Sequence, residues 1–408
     1  MAHPIIKALR HHKTAVVLIT LEIALTLAII ANALLIIGSH VSLMQVPTGL
    51  PDNELVWMKT TGIDEQMPAA ERASRSAAVL AALRTQPGVR GAAMVNGLPL
   101  SKIGSWTMCL FRQPEKKNEV CQVNMYAGTP GYLDVLGVRI AKGRPFTADD
   151  VTDYDFGGHN QGNPPPVIVS RSLADQMWPE EDPLGKPVYL DVEGLHVSHV
   201  IGVTEHLANA SLQTGVPNDL NILVPARALP VGSFVVRTAP GAANKVASAL
   251  PTVLAKVDSN RVVSGVGTLK DSVHEYFRDD RALVWLLVAV ISSLLLLTGL
   301  GVFGLTGFWV QERVRYIGIR RALGATEADI RHYFQLENLA IVSFGVALGA
   351  VTAVCLNFWL LVRYELPRLP LLPLLGGALL LFAIGQLAVL QPARRACRVP
   401  PVAATRAA

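Results

Sequence analysis

The chain has 408 residues, 51% of them hydrophobic and 16% charged, with mean hydropathy +0.37 and a formal net charge of +5. That balance excludes a wholly soluble protein and calls for several membrane spans beside a sizeable folded part. The basic excess is no sign of nucleic-acid binding: three short segments hold twelve basic and three acidic side chains, while residues 38–281 hold 22 basic and 25 acidic ones, and no aromatic-basic nucleic-acid motif is present.

Residues 1–13 carry Lys7, Arg10 and Lys13. They precede the first apolar run, Thr14–Ile37, whose length is about twice the 7–15 residues of a cleaved leader, so a retained anchor is expected. Three more runs, Ala282–Val310, Leu339–Val362 and Leu369–Leu390, are long enough for a hydrocarbon layer of about 30 Å, which takes roughly 20 residues. The last has Pro370 and Pro373 at its entry. Lys and Arg concentrate in 1–13, in 311–332 and in the tail 391–408, which holds Arg394, Arg395, Arg398 and Arg406; the loop after the third run has only Arg363 and Arg368. The positive-inside rule therefore puts both termini and the 311 segment in the cytoplasm, with residues 38–281 on the far side. Glu22 is the acidic side chain inside the first run, where an ionised carboxylate is costly and faces a partner or water. Snorkelling toward the cytoplasmic end is the plain reading, and a polar contact between spans or subunits the sharper one.

The far-side segment reads as mixed α and β. Glu54–Thr60 alternates like a strand, Pro68–Arg84 is an Ala-rich helix closed by Pro87-Gly88, and Val89–Asn96 is another strand. This is a βαβ unit with parallel strands. Ser105–Arg112 and Glu119–Tyr126 form a hairpin with Cys109 and Cys121 set nearly symmetrically about its turn. On the oxidising side of a membrane a disulfide is expected there, two free thiols being the alternative, while Cys355 and Cys397 stay reduced.

Residues 132–231 read as an inserted subdomain. A Gly/Pro/Asn-rich loop, Asp153–Pro166, is followed by strand Val167–Ser170, helix Leu173–Trp178, the turn 182–186, and strands Val188–Val192 and His199–Thr204. Strand Phe234–Thr238, helix Ala242–Lys256 and strand Arg261–Val266 then repeat the βαβ layout, so two halves side by side make a split sheet with helices on one face. Leu269–Asp280 reads as a helix running straight into the second span, a rigid connection. Asp153, Asp155 and His159 fit no cation site and lack a bidentate Glu; His196 and His199 read as ordinary core or surface histidines.

No phosphate-binding loop is present: the nearest match, Gly185-Lys186-Pro187, has Pro where a Mg²⁺-binding hydroxyl belongs. Nucleophile-elbow and zinc-hydrolase motifs are absent too. The chain is expected to be a non-catalytic subunit with no cofactor of its own. Gly301, Gly304 and Gly307 in the second span, and Gly345 with Gly349 in the third, mark close helix packing, within one chain or across a dimer. Few polar residues line the spans, which disfavours a route through the bilayer.

Between the second and third runs lies Gln311–Asn338. Arg313, Arg315, Arg320 and Arg321 alternate with Glu312, Glu327 and Asp329; Gly324 breaks the helix, and Thr326 with Asp329 opens another. An ordinary positive-inside loop is the plain reading. The wording Arg315-x-x-Gly318-Ile319-Arg320-Arg321-Ala322-Leu323-Gly324-Ala325-Thr326, then Asp329-Ile330 and Glu337, resembles the signature of the FtsX/MacB-type permease family, with Tyr316 departing from the Glu common there. The stretches GYLDVLGVRIAKGRPFTADD and VIVSRSLADQMWPEEDPLGKPVYL are similar to the MacB periplasmic core domain.

The resemblance implies an α-helical membrane protein with four transmembrane helices (14–37, 282–310, 339–362, 369–390) and a large α+β periplasmic domain at 38–281. It divides that domain into a porter-like subdomain (50–131 and 232–270) and a Sabre-like insert (132–231). It makes 311–338 a coupling element for a cytoplasmic ABC ATPase, through Arg313, Arg315, Gly318, Arg320, Arg321, Gly324, Thr326 and Asp329. ATP and Mg would sit on that partner. A homodimer or heterodimer in a bacterial inner membrane, served by an adaptor protein and an outer-membrane channel, completes the expectation. The implied function is mechanotransmission for efflux or export of a peptide, toxic compound or lipoprotein. A regulator of a cell-wall hydrolase or sensor kinase, and a membrane-anchored periplasmic enzyme, are the alternatives.

Overall fold

In a computed structural model of the chain, the described residues are 13–61, 67–101, 106–113, 119–152, 154, 164–190, 196–227, 229, 232–364 and 369–397. Asp153, Asp155 and His159, Arg368, the start 1–12 and the tail 398–408 lie outside them.

Four described helices are long and apolar enough to cross a membrane: Lys13–Met44, Leu269–Glu312, Glu327–Arg363 and Leu371–Arg395. Their cores are rich in Leu, Ile, Val and Ala, and the helix satisfies its own backbone hydrogen bonds, as a bilayer demands. The chain divides into two compact units, one formed by residues 1–42 with 280–408 and the other by 43–279.

In the membrane-helix unit, α1 (Lys13–Met44) presents Ile19, Ile23 and Leu27 to a core shared with Val302, Ile341, Val342 and Leu381.

The second unit holds strands β1 (Leu55–Thr61), β2 (Val89–Val95), β3 (Trp106–Phe111), β4 (Glu119–Gly128), β5 (Ile140–Gly143), β6 (Val167–Ser170), β7 (Pro187–Tyr189), β8 (Val197–Thr204), β9 (Asn221–Pro225), β10 (Ser233–Thr238) and β11 (Val262–Thr268). Its helices are α2 (Ala69–Arg84), α3 (Tyr132–Leu136), α4 (Arg171–Met177), α5 (Ala243–Val257) and α6 (Leu269–Tyr276).

The sequence places the two βαβ halves side by side. In the structure they interleave: the order is β11-β1-β10-β2, and β1 is antiparallel to both β10 and β11 while β10 is antiparallel to β2. The strands of each half run parallel but never touch, because each is paired through a strand of the other half. The reason lies in the crossover helices. Val79 and Leu83 of α2 and Val246, Leu250 and Leu254 of α5 bury themselves in one cluster with Val56, Met58, Phe234 and Val236. The opposite face is closed by Tyr132, Leu133 and Leu136 of α3 and by Leu269, against Leu55, Ala93 and Val235.

The strands of the insert close into a ring together with the β3–β4 hairpin, which precedes the insert in the chain. β4, β3, β7, β8, β6 and β9 pair in succession, and β9 returns to β4 in parallel from Asn124↔Asn221 to Gly128↔Pro225. Closure leaves no free edge in the ring. A single pair, Val95↔Gly128, links it to the four-stranded part. Strands β5 and β9 and helix α3 were not legible in the sequence. Within the insert, Arg144 grips Asp150 at 2.6 and 2.9 Å, and Thr147 donates its N–H and hydroxyl to the same carboxylate. The Arg144 hydrogen bond leads in lowering that carboxyl to about 2.

Cys109 and Cys121 are joined by a disulfide across the β3–β4 hairpin, at a register shift between Met108 and Leu110. The bridge closes a loop with sequence separation 12. Replacing both by Ser is expected to cost about 2–4 kcal/mol on loop-closure grounds, read as a lower melting temperature for the full chain. An unchanged melt would show that the hairpin holds its register without the bridge.

The helix expected into the second span is present over Leu269–Glu312, interrupted at the single turn residue Phe277. α6 ends at Tyr276 and α7 (Arg278–Glu312) starts two residues on. The break at Phe277 turns that ring into a local cluster with Leu100 and Ala208, where it is 4% exposed.

Candidate functional site: the helical hook at 311–338

The end of α7, the short helix α8 (Val314–Ala322) and the start of α9 (Glu327–Tyr364) form a helix, a tight turn and a helix. Gly324 sits at φ +96, a left-handed conformation that glycine adopts freely, and it releases the chain from α8. The next helix starts on reciprocal caps: Thr326 donates its N–H (2.9 Å) and hydroxyl (2.6 Å) to Asp329 Oδ2, and the Asp329 N–H donates back to the Thr326 hydroxyl at 3.3 Å.

What holds the hook closed is partly apolar. Ile317 on α8 packs against Ile330 and Phe334 of α9, all 5% exposed or less. An ionic contact adds to it. Arg313 Nη1 lies 3.1 and 3.0 Å from the two carboxylate oxygens of Glu337, whose side chain is 2% exposed, and its guanidinium stands 5.8 Å from the Trp309 ring. Arg320 stands over Tyr333 at 5.4 Å.

The structure thus separates the residues grouped in the sequence. Arg313 turns inward, Gly318 is buried at the crossing, and Gly324, Thr326 and Asp329 shape the turn. Ile319 on α8 is 51% exposed and Leu323, the first residue past its end, is 83% exposed, one helical turn apart. Arg320 flanks them. The side chains of Arg315 and Arg321 lie outside those described. The exposed apolar pair was missed in the sequence, where the arginines drew attention. The signal was available as Ile319 and Leu323 at i,i+4 in a segment too polar to be buried. Glu337 was legible only as part of a resemblance.

Within the membrane helices, α10 (Leu371–Cys397) completes the set. Glu22 lies against Gly301: a Cβ at that glycine would meet Glu22 Oε2 at 3.0 Å. One turn along, the Thr26 and Thr298 hydroxyls are 3.2 Å apart. Gly345 and Gly349 receive α1, with a Cβ at Gly349 falling 2.8 Å from Ala24 O. Gly304 and Gly307 face open space. A further polar contact escaped the sequence reading: Asn357 Nδ2 donates to Asn32 Oδ1 at 3.3 Å, and the Leu369 N–H donates to Asn357 Oδ1 at 2.8 Å. Treating every amide inside an apolar run as a candidate would have found it. Among the described residues no three His, Cys, Asp or Glu side chains gather as a metal site. His196 meets the edge of Tyr154 at 5.6 Å, and His199 lies in β8.

Comparison with known proteins places this geometry. The MacB-like periplasmic core domain family matches residues 19–253, more than half of the chain, and the FtsX-like permease C-terminal family matches 288–401. An uncharacterized ABC transporter permease, YvrN of Bacillus subtilis (strain 168), is 24% identical over 97% of this chain and 96% of its own length. The macrolide export ATP-binding/permease protein MacB of Hahella chejuensis is 26% identical over 72% of this chain; that match takes in 44% of the Hahella protein, so the chain spans less than half of it. The solved periplasmic region of MacB from Actinobacillus actinomycetemcomitans covers 56% of this chain and 95% of its own, at 19% identity and a TM-score of 0.36. The chain belongs to the ABC transporter permease family that combines a MacB-like periplasmic core domain with an FtsX-like C-terminal permease region.

Proposed function

We propose that this chain is the membrane subunit through which an ATPase on a separate polypeptide moves a folded unit on the outer side of a bacterial inner membrane. In this reading the hook lies in the cytoplasm, and the 43–279 unit, with porter-like and Sabre-like parts, lies outside. ATP and Mg²⁺ are bound by the partner, and the membrane helices pass on motion without opening a substrate route. A dimer of such chains with two ATPases, working with an adaptor and an outer-membrane channel, would export a peptide, toxic compound or lipoprotein. The distribution of basic residues supports the orientation.

One observation carries the reading. The hook offers an apolar pair, Ile319 on the short helix and Leu323 just past its end; Ile317 packs that helix down and the Arg313–Glu337 pair fixes the residue that precedes it. Rigid backing and an exposed apolar tip are what a helix needs to seat in a groove of a partner and bear force. Glu312 and Arg313 join that helix to α7 with no loop, so displacement of α8 must displace α7.

The test is Leu323→Asp with Ile319→Asp, in full-length chain co-purified from native membranes with the ATPase that accompanies it. The expected result is loss of ATPase stimulation, by about tenfold or more if the pair anchors the contact with 1.4 kcal/mol or more, while membrane insertion is kept. Charge reversal at Arg320 is expected to have a smaller effect. Undiminished stimulation in the Asp double variant would remove the docking role from this hook.

A further inference from the structure

The segment that leaves α1 is strapped onto the strand-bearing unit by a histidine. Residues 45–50 run past the 206–208 segment, where the Ala208 N–H donates to Thr48 O at 3.0 Å. Gly49, at φ +83, comes so close that a Cβ there would lie 2.4 Å from His206 O. The imidazole of His206 completes the contact: Nε2 is 2.9 Å from Pro47 O, and Nδ1 is 3.5 Å from Asp219 Oδ2. A backbone carbonyl and a carboxylate can only accept hydrogen bonds, so both ring nitrogens have work only when both carry protons. The same Asp219 oxygen also accepts from the Ser172 hydroxyl at 2.7 Å.

We propose that His206 is a proton-operated clasp: as imidazolium it ties Pro47 of the 45–50 strap to Asp219 of the body of the unit at once, and on losing its proton it can donate to only one of the two, so the strap is held less firmly. The charged groups around it agree. The Asp219 hydrogen bond leads in raising the His206 imidazole above its ordinary value, against the opposing effect of burial. Burial disfavours charge on Asp219, yet hydrogen bonds from His206 and Ser172 hold its carboxyl below the usual range. Asp52, on the strap side, is raised by burial and tied to the Thr48 hydroxyl. Glu205, beside the histidine, is turned to Arg139 at 3.6 Å.

The direction of the pH effect follows. A histidine raised on folding adds stability that is full below its unfolded value of about 6.5 and is lost as pH climbs through the higher folded value. The lowered Asp219 adds stability that is present above its unfolded value of about 3.9 and is lost only as pH falls through the lower folded one. The clasp is therefore shut below the ordinary imidazole value and loosens as pH rises through the raised folded one. If the unit faces the outside, as the proposed function has it, the acidity of the medium sets how firmly the strap is held. The clasp itself does not depend on that reading.

Hydrogen exchange followed by mass spectrometry, on the full chain in lipid nanodiscs between about pH 5 and 8, reads the strap directly once intrinsic rates are divided out. Protection in the peptides spanning 48–50 and 206–209 should fall severalfold as pH rises, while peptides from α5 and β10 stay protected. His206→Gln, which keeps one neutral donor, should remove the pH dependence, and Asp219→Asn should move the change to lower pH. Strap protection independent of pH in the native chain, a His206→Gln profile matching it, or an unmoved midpoint in Asp219→Asn would each overturn the clasp.

Discussion

Glu337→Gln is expected to unfasten the hook, and replacing Glu337 and Arg313 together by Leu and Met to refasten it. The pair is almost sealed from solvent, with side-chain exposures of 16% for Arg313 and 2% for Glu337. One guanidinium nitrogen shares both carboxylate oxygens while the Trp309 ring covers the charge. Removing the carboxylate leaves a buried cation without its counter-charge, which typically costs about 3–5 kcal/mol. Removing both charges and filling the space with apolar atoms is commonly neutral or stabilising. The single variant should therefore lose protease resistance at 311–338 and, with the partner ATPase present, lose stimulation. The double variant should regain the first. Whether it regains the second separates two roles for Arg313: a brace for α8 if it does, a direct contact for the partner if it does not. A Glu337→Gln protein with native protease resistance would show that the ion pair does not hold the hook.

Local chemistry was readable along the chain. The turn in the hook is written in Gly324 and in Thr326 with Asp329, residues a few positions apart whose conformation and caps are local. Four apolar runs announce four helices because length and composition alone decide that question. Most strands could be read from alternation. What could not be read is pairing at a distance. Interleaved and side-by-side βαβ halves carry the same alternation, and only the burial of α2 against α5 chooses between them. The ring depends on Asn124, ahead of the insert, meeting Asn221 within it across a long stretch of chain, and on short strands such as β7 whose three residues give no period. Arg313 and Glu337 were each visible, but their bond spans a turn and two helices. His206 had no motif at all; its partners, Pro47 and Asp219, come from either side of it in the chain.

Gly349→Val is expected to break up the membrane-helix unit, whereas Gly304→Ala is expected to be neutral or to stabilise it. The two glycines look alike in sequence, each in a series of small residues. Their surroundings differ. A Cβ at Gly349 would lie 2.8 Å from Ala24 O, 2.9 Å from Ala24 Cα and 2.9 Å from Leu27 Cβ. Two of those atoms are backbone of α1, so no rotamer change relieves the contact and the helices must part. Overpacking typically costs about 1–3 kcal/mol, and here parting also lengthens the Asn32–Asn357 hydrogen bond about two turns further along both helices. Gly345→Ala should be intermediate, because the nearest atoms there are the Ile23 side chain at 2.8 and 2.9 Å. At Gly304 nothing lies within 4 Å, and Ala in place of Gly in a helix gains about 1 kcal/mol. Thermal melts of the purified variants in detergent rank the three. The order Gly349, Gly345, Gly304 follows if α1 against α9 is the tight seam of this unit. Equal losses at Gly304 and Gly349 would contradict that, since they would require a helix of another chain to lie as close to Gly304 as α1 lies to Gly349.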